Sequence, residues 1–163
     1  MALRFMRLAP RQHDRGGFCC GVEALDIYLQ QQAGQHQRQG IATTHVLIDD
    51  TTSARILGYL SLAAAQLHPH DLQPADRKRL PAYPIPAARV GRLAVSAQHQ
   101  GEGYGRLLLG HAVNSALSLR ERLGVRVLVV DAKDEHAAMF YKTYGFQPTT
   151  ETALTLYLPL GSG

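Results

Sequence analysis

Short stretches of alternating or continuous apolar residues predict strands, and longer stretches with helical spacing predict helices. In residues 22–37 the apolar positions recur every three or four residues, which predicts a helix that Gly40 ends. The first predicted elements are a strand, this helix and an antiparallel hairpin with its turn cluster at 49–53: residues 3–8, 22–37, 43–48 and 55–64. Gly58, inside the last of these strands, predicts a bulge or a close backbone approach.

The second half of the chain alternates strands with helices. A proline-rich loop is predicted at residues 68–86, and its length is typical of functional loops. Three strands and two helices follow it: residues 87–95, 103–123, 125–130, 134–144 and 153–158. The order β-α-β-β-β-α-β-α-β predicts a mixed α/β sheet. We expect one domain over residues 1–160 and a short tail at 161–163.

Composition excludes several classes of protein. The chain has 163 residues, 45% hydrophobic and 18% charged, which is a globular composition. It contains no run of ~20 apolar residues that would span a membrane, and residues 1–10 lack the apolar core of a signal peptide. The two cysteines, Cys19 and Cys20, are adjacent and suggest no disulfide framework. We therefore expect a cytoplasmic protein.

The charge balance is basic but modest. Lysine and arginine outnumber the acidic residues 17 to 13, which gives a net charge of +4, and fourteen of the seventeen are arginines. The planar guanidinium group suits phosphates and stacked bases better than an ammonium does. The charge therefore permits a polyanionic ligand, although codon usage in a GC-rich genome would give the same excess.

A glycine-rich turn between the strand 87–95 and the helix 103–123 carries the clearest chemistry. It consists of Gln100-Gly101-Glu102-Gly103-Tyr104-Gly105-Arg106. Unpaired N–H groups at the positive end of a helix dipole bind phosphate, and glycine lets the backbone approach it. The spacing fits neither a P-loop nor a Rossmann turn. We predict a pyrophosphate site to which Arg106 adds charge; the alternative is a flexible strand-to-helix turn.

Tyr141 lies on the short predicted helix that follows the apolar strand 125–130. A phenol with a pKa of ~10 can give a proton to a departing thiolate, whose thiol has a pKa of ~8.5. Phe140 and Tyr144 lie beside it, and taken alone the three aromatic residues are explained more simply by packing.

Together these two features resemble the GCN5-related N-acetyltransferase (GNAT) family. Gln100-x-x-Gly103-x-Gly105 matches its acyl-CoA pyrophosphate motif, and Asp134-x-x-Ala137-x-x-x-Tyr141-x-x-x-Gly145-Phe146 matches its C-terminal signature, with Asp134 where many members have Asn. The resemblance implies the acyl-CoA N-acyltransferase fold and acetyl-CoA as co-substrate, with Tyr141 protonating the CoA thiolate. It also implies a set of residues that bind acetyl-CoA: Leu93, Ala94, Val95, Gln100, Gly101, Gly103, Tyr104, Gly105, Arg106 and Asp134.

A narrower resemblance extends beyond these motifs. The segments that carry it include Phe18-x-Cys20-Gly21-x-x-x-Leu25-Asp26-x-Tyr28-Leu29, Leu80-Pro81-x-Tyr83-Pro84-Ile85-Pro86 and Gly91-Arg92-Leu93-Ala94-Val95. They are similar to the GNAT toxins of bacterial toxin–antitoxin modules, although many members have Arg where Ala82 stands. The resemblance implies acetylation of the α-amino group of aminoacyl-tRNA, which blocks translation. It also implies a ribbon-helix-helix antitoxin as partner and a homodimer.

Five basic residues lie in the loop and strand that lead to the predicted acetyl-CoA site: Arg77, Lys78, Arg79, Arg89 and Arg92. We predict that they contact tRNA, because phosphate contacts of this kind give affinity that depends on salt and not on sequence. The alternative is a solvated basic loop.

Two other functions remain open. The acceptor could be a small amine or a protein N-terminus, or the chain could be a CoA- or nucleic-acid-binding module without turnover. A covalent cysteine route is disfavoured, because Cys19 and Cys20 have no evident histidine partner. No metal is expected, because His68 and His70 form the only close histidine pair and no second pair completes a zinc site.

Overall fold

The computed structural model describes residues 2–161, and their strands form one seven-stranded sheet in the order β1-β2-β3-β4-β5-β7-β6. The pairs β1–β2, β2–β3, β5–β7 and β6–β7 are antiparallel, whereas β4 and β5 are parallel. This confirms the predicted mixed α/β fold. The strands are β1 (Leu3–Arg7), β2 (Thr43–Asp49), β3 (Gly58–Leu67), β4 (Ile85–Val95), β5 (Val127–Asp131), β6 (Gln147–Pro148) and β7 (Thr155–Pro159).

The predicted first helix contains an irregularity that the sequence analysis missed. The helices are α1 (Glu23–Ile27), α2 (Ala33–Arg38), α3 (Pro74–Arg77), α4 (Tyr104–Arg122) and α5 (Glu135–Thr143), and a π turn (Tyr28–Gln32) joins α1 to α2. The N–H group of Ala33 donates to the carbonyl of Tyr28, five residues earlier. Tyr28 and Ala33 are both buried. Their separation of five residues, instead of three or four, was the signal in the sequence for the π turn. Within residues 2–161, no helix has the length and apolarity that a membrane span requires.

The chain divides into two compact units, and the first comprises residues 2–63 and 91–112. The predicted hairpin is confirmed, with a register from Thr43↔Leu62 to Leu47↔Gly58. Its second strand begins later than predicted, because Ile56 and Leu57 are buried without belonging to the strand. A buried apolar residue just before a strand cannot be distinguished from a strand residue by its hydrophobicity alone. The core of this unit consists of Leu8, Phe18, Cys20, Tyr28, Leu29, Ala33, Val46, Ile48, Ile56, Tyr59 and Ala94.

The second unit comprises residues 64–90 and 113–161. The predicted loop 68–86 is more ordered than expected, because it contains a 3-10 turn (Pro69–Asp71) and α3 and ends where β4 begins. Two of its side chains, Leu72 and Leu80, are buried in the core of this unit, which fixes the segment in place. The core consists of Leu67, Leu72, Leu80, Ile85, Ala87, Val127, Val129 and Tyr157. Of the predicted tail 161–163, only Gly161 lies within the described residues.

Candidate functional site

The glycine-rich turn has the backbone conformation that a phosphate site needs. Gly101 and Gly103 have φ angles of +84° and +85°, and nothing lies within 4 Å of a Cβ built at either position. Glycine is therefore required there for its dihedral angles and not for space. Directly after them, α4 begins at Tyr104, and the N–H groups of its first turn have no carbonyl one helical turn earlier to bind. The exposed Arg106 adds a positive charge to this helix end.

Two other residues of the turn have structural roles. The Gln100 amide nitrogen donates to the carbonyl oxygens of Cys20 and Val95, at 2.9 and 3.2 Å. The ring of Tyr104 is buried and stacks on His99, with ring centroids 5.9 Å apart. These side chains shape the turn, and their predicted contacts with a cofactor stay a prediction.

The end of β4 extends beyond its parallel neighbour. The ladder between β4 and β5 runs from Ala87↔Val127 to Val90↔Val130, whereas β4 continues to Val95. Leu93 and Val95 are half-buried and Ala94 is buried. Gly58 faces this segment, since a Cβ there would lie 3.0 Å from the Ala94 carbonyl oxygen. This close approach confirms the prediction made for Gly58.

The N–H group of Ser96, one residue past β4, donates to the carbonyl of Leu57, one residue before β3. Since backbone groups alternate along a strand, those of Leu93 and Val95 face the opposite edge. This edge can pair with an extended ligand.

Tyr141 lies in the second unit, on α5. Asp134 caps this helix, accepting a 2.8 Å hydrogen bond from the Ala137 N–H group. The Tyr141 side chain is 4% exposed and packs against Phe146 at a centroid distance of 5.8 Å. Burial, together with the Asp131 carboxylate, raises the pKa of Tyr141 above its ordinary value, so the phenol keeps its proton near neutral pH.

The Tyr141 hydroxyl is nevertheless available to a ligand. It makes no hydrogen bond with any of residues 2–161. The buried polar side-chain atoms without a partner in that range are Thr44 Oγ1 and His99 Nδ1. The Tyr141 hydroxyl proton is therefore not used by a partner within the described chain and can be donated to a ligand.

Two basic residues of the loop are engaged within the chain. The Arg77 guanidinium donates to the carbonyls of Leu72 and His70, both at 2.9 Å. Arg79 pairs with the buried carboxylate of Asp76 at 2.8 Å. Lys78, between them, is exposed and has no ion-pair partner among residues 2–161. The loop therefore presents one unpaired cation and two partly engaged ones.

Arg89 and Arg92 differ although both lie on β4. The Arg89 guanidinium binds Asp131 through two hydrogen bonds, 2.6 and 2.7 Å long, which also raise the pKa of Arg89. Arg92 forms no hydrogen bond or ion pair with residues 2–161 through its guanidinium. Instead, its Cζ atom lies 3.6 Å above the centre of the Tyr28 ring. Arg92 has all its polar donors available, whereas Arg89 does not.

The comparisons with known proteins identify the family. The model of the Acetyltransferase (GNAT) domain matches residues 40–148, more than half of the chain. The chain belongs to the GNAT acetyltransferase family. The predicted GNAT fold and activity as an N-acetyltransferase are thereby confirmed.

Individual relatives are similar over nearly the whole GNAT chain. A tRNA-acetylating toxin of Mycobacterium tuberculosis is 30% identical over 154 residues, which cover 92% of this chain and 90% of that protein. The solved structure of AtaT complexed with acetyl-methionyl-tRNAfMet is 31% identical with a TM-score of 0.89, covering 97% of this chain and 95% of that one. A mutant AtaT toxin bound to the C-terminus of the antitoxin AtaR and acetyl-CoA is 30% identical with a TM-score of 0.82, covering 96% and 92%.

The first unit of this GNAT protein contains a histidine pair that the sequence did not indicate. His45 Nδ1 and His111 Nε2 lie 2.8 Å apart, and the His111 ring stacks on Phe5 at 4.3 Å. Burial, with smaller contributions from His111 and Arg7, lowers the pKa of His45 to about 4. No local motif announces this pair, because His111 reaches His45 only once α4 has folded.

The second unit of the GNAT protein contains one group of metal-type side chains within residues 2–161. Donor atoms of His70, Asp71 and Glu151 lie within 4.8 Å of one another. His70 and Glu151 are exposed and Asp71 is half-buried, and such groups on a surface are common without a metal. We assign no metal to it.

Proposed function

We propose that this GNAT protein is the toxin of a toxin–antitoxin module and acetylates the α-amino group of aminoacyl-tRNA, which blocks translation. The carrying observation is the glycine turn, in which Gly101 and Gly103 adopt positive φ angles directly before the first turn of α4. The substrate follows from similarity to the tRNA-acetylating toxin and to AtaT. Charged tRNA is cytoplasmic, so we place the protein in the cytoplasm.

The first unit would bind acetyl-CoA through its backbone. The N–H groups of Gly101, Gly103 and the first turn of α4 face the pyrophosphate, and Arg106 adds a charge. Beyond the ladder with β5, the backbone of Leu93 and the N–H group of Val95 would pair with the extended pantetheine arm, as an added strand would; the Val95 carbonyl already accepts from Gln100. Gln100 and Tyr104 support this arrangement through the contacts that shape the turn. Asp134, in the second unit, caps the helix α5 that carries Tyr141.

The reaction is a direct transfer of the acetyl group. A neutral α-amino group attacks the thioester carbonyl carbon, a C–N bond forms and the C–S bond breaks. The sulfur leaves with the bonding electron pair and takes the Tyr141 hydroxyl proton, while the amine proton passes to water and returns to the phenolate. A backbone N–H group at Leu93 or Val95 polarises the carbonyl. Tyr141 acts as the general acid.

The tRNA contacts would come from the five basic residues predicted for them. Arg92 and Lys78 contribute most, because neither is paired within the described chain. Arg77 and Arg79 are exposed and can contribute further, but they already have intramolecular partners. Arg89 contributes least, since Asp131 binds the Nε–Nη2 edge of its guanidinium and offsets its charge.

The protein partner would be a ribbon-helix-helix antitoxin, and the toxin would be a homodimer. A relative, AtaT, has been solved with the C-terminus of the antitoxin AtaR, which supports an antitoxin partner. Co-expression with a short gene encoded beside this one tests the proposal. Wild-type protein expressed alone should halt growth, whereas co-expression with that gene should prevent the growth arrest.

Transfer of labelled acetyl to total charged tRNA tests the activity directly. We expect the wild type to label the tRNA in a form resistant to mild deacylation of free aminoacyl esters, and Tyr141→Phe to label it far more slowly. The alternative acceptors, small amines and protein N-termini, are supplied in parallel reactions. Label on those alone would exclude aminoacyl-tRNA as the substrate, and no label anywhere would favour a non-catalytic binding module.

A further inference from the structure

Building on the proposed function, we propose that Tyr28 is a positioning residue for aminoacyl-tRNA, because its ring holds the Arg92 guanidinium where it can bind a phosphate of the tRNA. Tyr28 and Arg92 both lie in the first unit. Tyr28 thereby has a role in substrate affinity in addition to its place in the core.

The contact itself is a close stacking of a cation on an aromatic face. The Arg92 Cζ atom lies 3.6 Å from the Tyr28 ring centre. Such contacts are attractive, and more so when water is excluded. Stacking fixes the plane of the guanidinium while leaving its edge free for hydrogen bonds, and that edge matches the oxygen atoms of a phosphate.

The ring that supports Arg92 is rigidly held. Tyr28 is 2% exposed, its hydroxyl lies 3.0 Å from His36 Nδ1, and the His36 ring packs edge-on at 5.3 Å. It also begins the π turn, and π turns in helices are frequent at functional sites. A fixed platform restricts the guanidinium before substrate arrives, which lowers the entropy lost on binding.

The position of Arg92 favours a ligand over a purely structural role. It is half-buried, and its guanidinium makes no polar contact with residues 2–161. It precedes Leu93, at the free edge proposed for the pantetheine arm, and shares a strand face with the core residue Ala94. A phosphate supplies the missing partner. Phosphates of tRNA and of acetyl-CoA share this chemistry, so the experiment must separate them.

The experiment measures binding of fluorescently labelled, uncharged tRNA by anisotropy, together with KM values for aminoacyl-tRNA and acetyl-CoA. Tyr28→Leu removes the ring, whereas Tyr28→Phe keeps it and loses only the contacts of the hydroxyl, which include His36. We expect Tyr28→Leu to weaken tRNA binding and to raise the KM for aminoacyl-tRNA by about 3- to 10-fold. The KM for acetyl-CoA should stay within about twofold, and Tyr28→Phe should resemble the wild type.

A double-mutant cycle distinguishes positioning from packing. In an Arg92→Met background, Tyr28→Leu should have no further effect on tRNA affinity, because the platform has nothing left to hold. An equal loss in both backgrounds would overturn the proposal, and so would a rise confined to the KM for acetyl-CoA.

A series of fluorinated phenylalanines at position 28 preserves the shape of the ring if Tyr28→Leu does not fold. Successive fluorination weakens the negative face of the ring, so tRNA affinity should fall along the series. A flat series would contradict the proposal.

Failure of the proposed function is recognised separately. Wild type that binds tRNA with this dependence on Tyr28 but leaves charged tRNA unacetylated would retain the positioning role and refute the reaction. Wild type that does not bind tRNA would refute both.

Discussion

Arg89 and Arg92 lie three residues apart on β4, and their neighbours give them opposite properties. A carboxylate, Asp131, binds Arg89 through two short hydrogen bonds and uses both its charge and its donors. The aromatic ring of Tyr28 stacks against the face of the Arg92 guanidinium and leaves its donors free. Before folding, the two residues are chemically identical. The partner that the fold supplies decides whether an arginine joins strands or is available to a ligand.

The largest expected effect is on the rate of acetyl transfer, and it involves neither arginine. Tyr141→Phe removes the proposed general acid, so kcat should fall by ~10²-fold or more, while tRNA affinity and its salt dependence stay unchanged. Single-turnover acetylation measures the effect. Tyr144→Phe, the same change at an exposed residue of the same segment, is the matched control. Equal rates for Tyr141→Phe and wild type would remove Tyr141 from the mechanism.

Lowering the pH provides a second test, because it protonates histidine side chains while Arg89 and Arg92 keep the same charge. The pKa of His45 is lowered to about 4, so between this value and ~6.5 the unfolded chain binds more protons than the folded one. Stability from this group is complete above pH ~6.5 and is lost as the pH falls towards 4, by ~1–2 kcal/mol after allowance for solvent screening of the partly exposed ring. Urea unfolding at several pH values measures it.

His45→Gln is the variant for this test, and it should flatten the acid side of the stability profile. His136→Gln, at an exposed position on α5, is its control and should leave the profile as in the wild type. An unchanged profile in His45→Gln would show that the acid sensitivity arises elsewhere.

Removing one charge of the Arg89 pair should affect stability more than removing Arg92. The side chains of Arg89 and Asp131 are 43% and 31% exposed, so solvent screens the pair and Arg89→Gln should cost about 1–2 kcal/mol. Arg92→Gln has no ionic partner to leave unpaired, and about 0.5–1 kcal/mol is expected. Urea unfolding compares them. The double variant Arg89→Gln/Asp131→Asn should recover stability; no recovery would show that the pair is not the cause.

The smallest predicted difference is in the salt dependence of tRNA binding. Arg92→Met should reduce the slope of log affinity against log salt by about 0.7–0.9, the value for one lost phosphate contact. Arg89→Met should reduce the slope by much less, because Asp131 already binds its guanidinium. Anisotropy titrations at four or more salt concentrations resolve this, with Glu121→Gln as an exposed control far along α4. Equal slopes for the two arginine variants would erase the distinction between them.

Features that depend only on neighbouring residues were predicted well from the sequence. The glycine turn is such a case: two glycines with a spacing of two, before a helix, are the signal, and Gly101 and Gly103 have the expected φ angles. The helix α5 and the apolar strand β5 are also local features that the sequence indicated. Element ends were less accurate where buried apolar residues continue past a strand, as at Ile56 and Leu57.

Pairings between distant residues were not predictable. Asp131 lies 42 positions from Arg89, and only the register of the parallel ladder brings them together. The ring beneath Arg92 likewise depends on how the first helix packs, which hydrophobic spacing does not specify. For this reason the five basic residues looked equivalent in the sequence, although the structure gives three of them intramolecular polar partners.

The π turn at Tyr28–Gln32 has a consequence for how sequences of this family are aligned. Relative to an uninterrupted α-helix it holds one additional residue, which equals the insertion of a single codon. Relatives with a regular helix here should need a one-residue gap between Tyr28 and Ala33. An alignment without this gap would pair Tyr28 with the wrong residue of such a relative. The residue that faces Arg92 would then not be recognised.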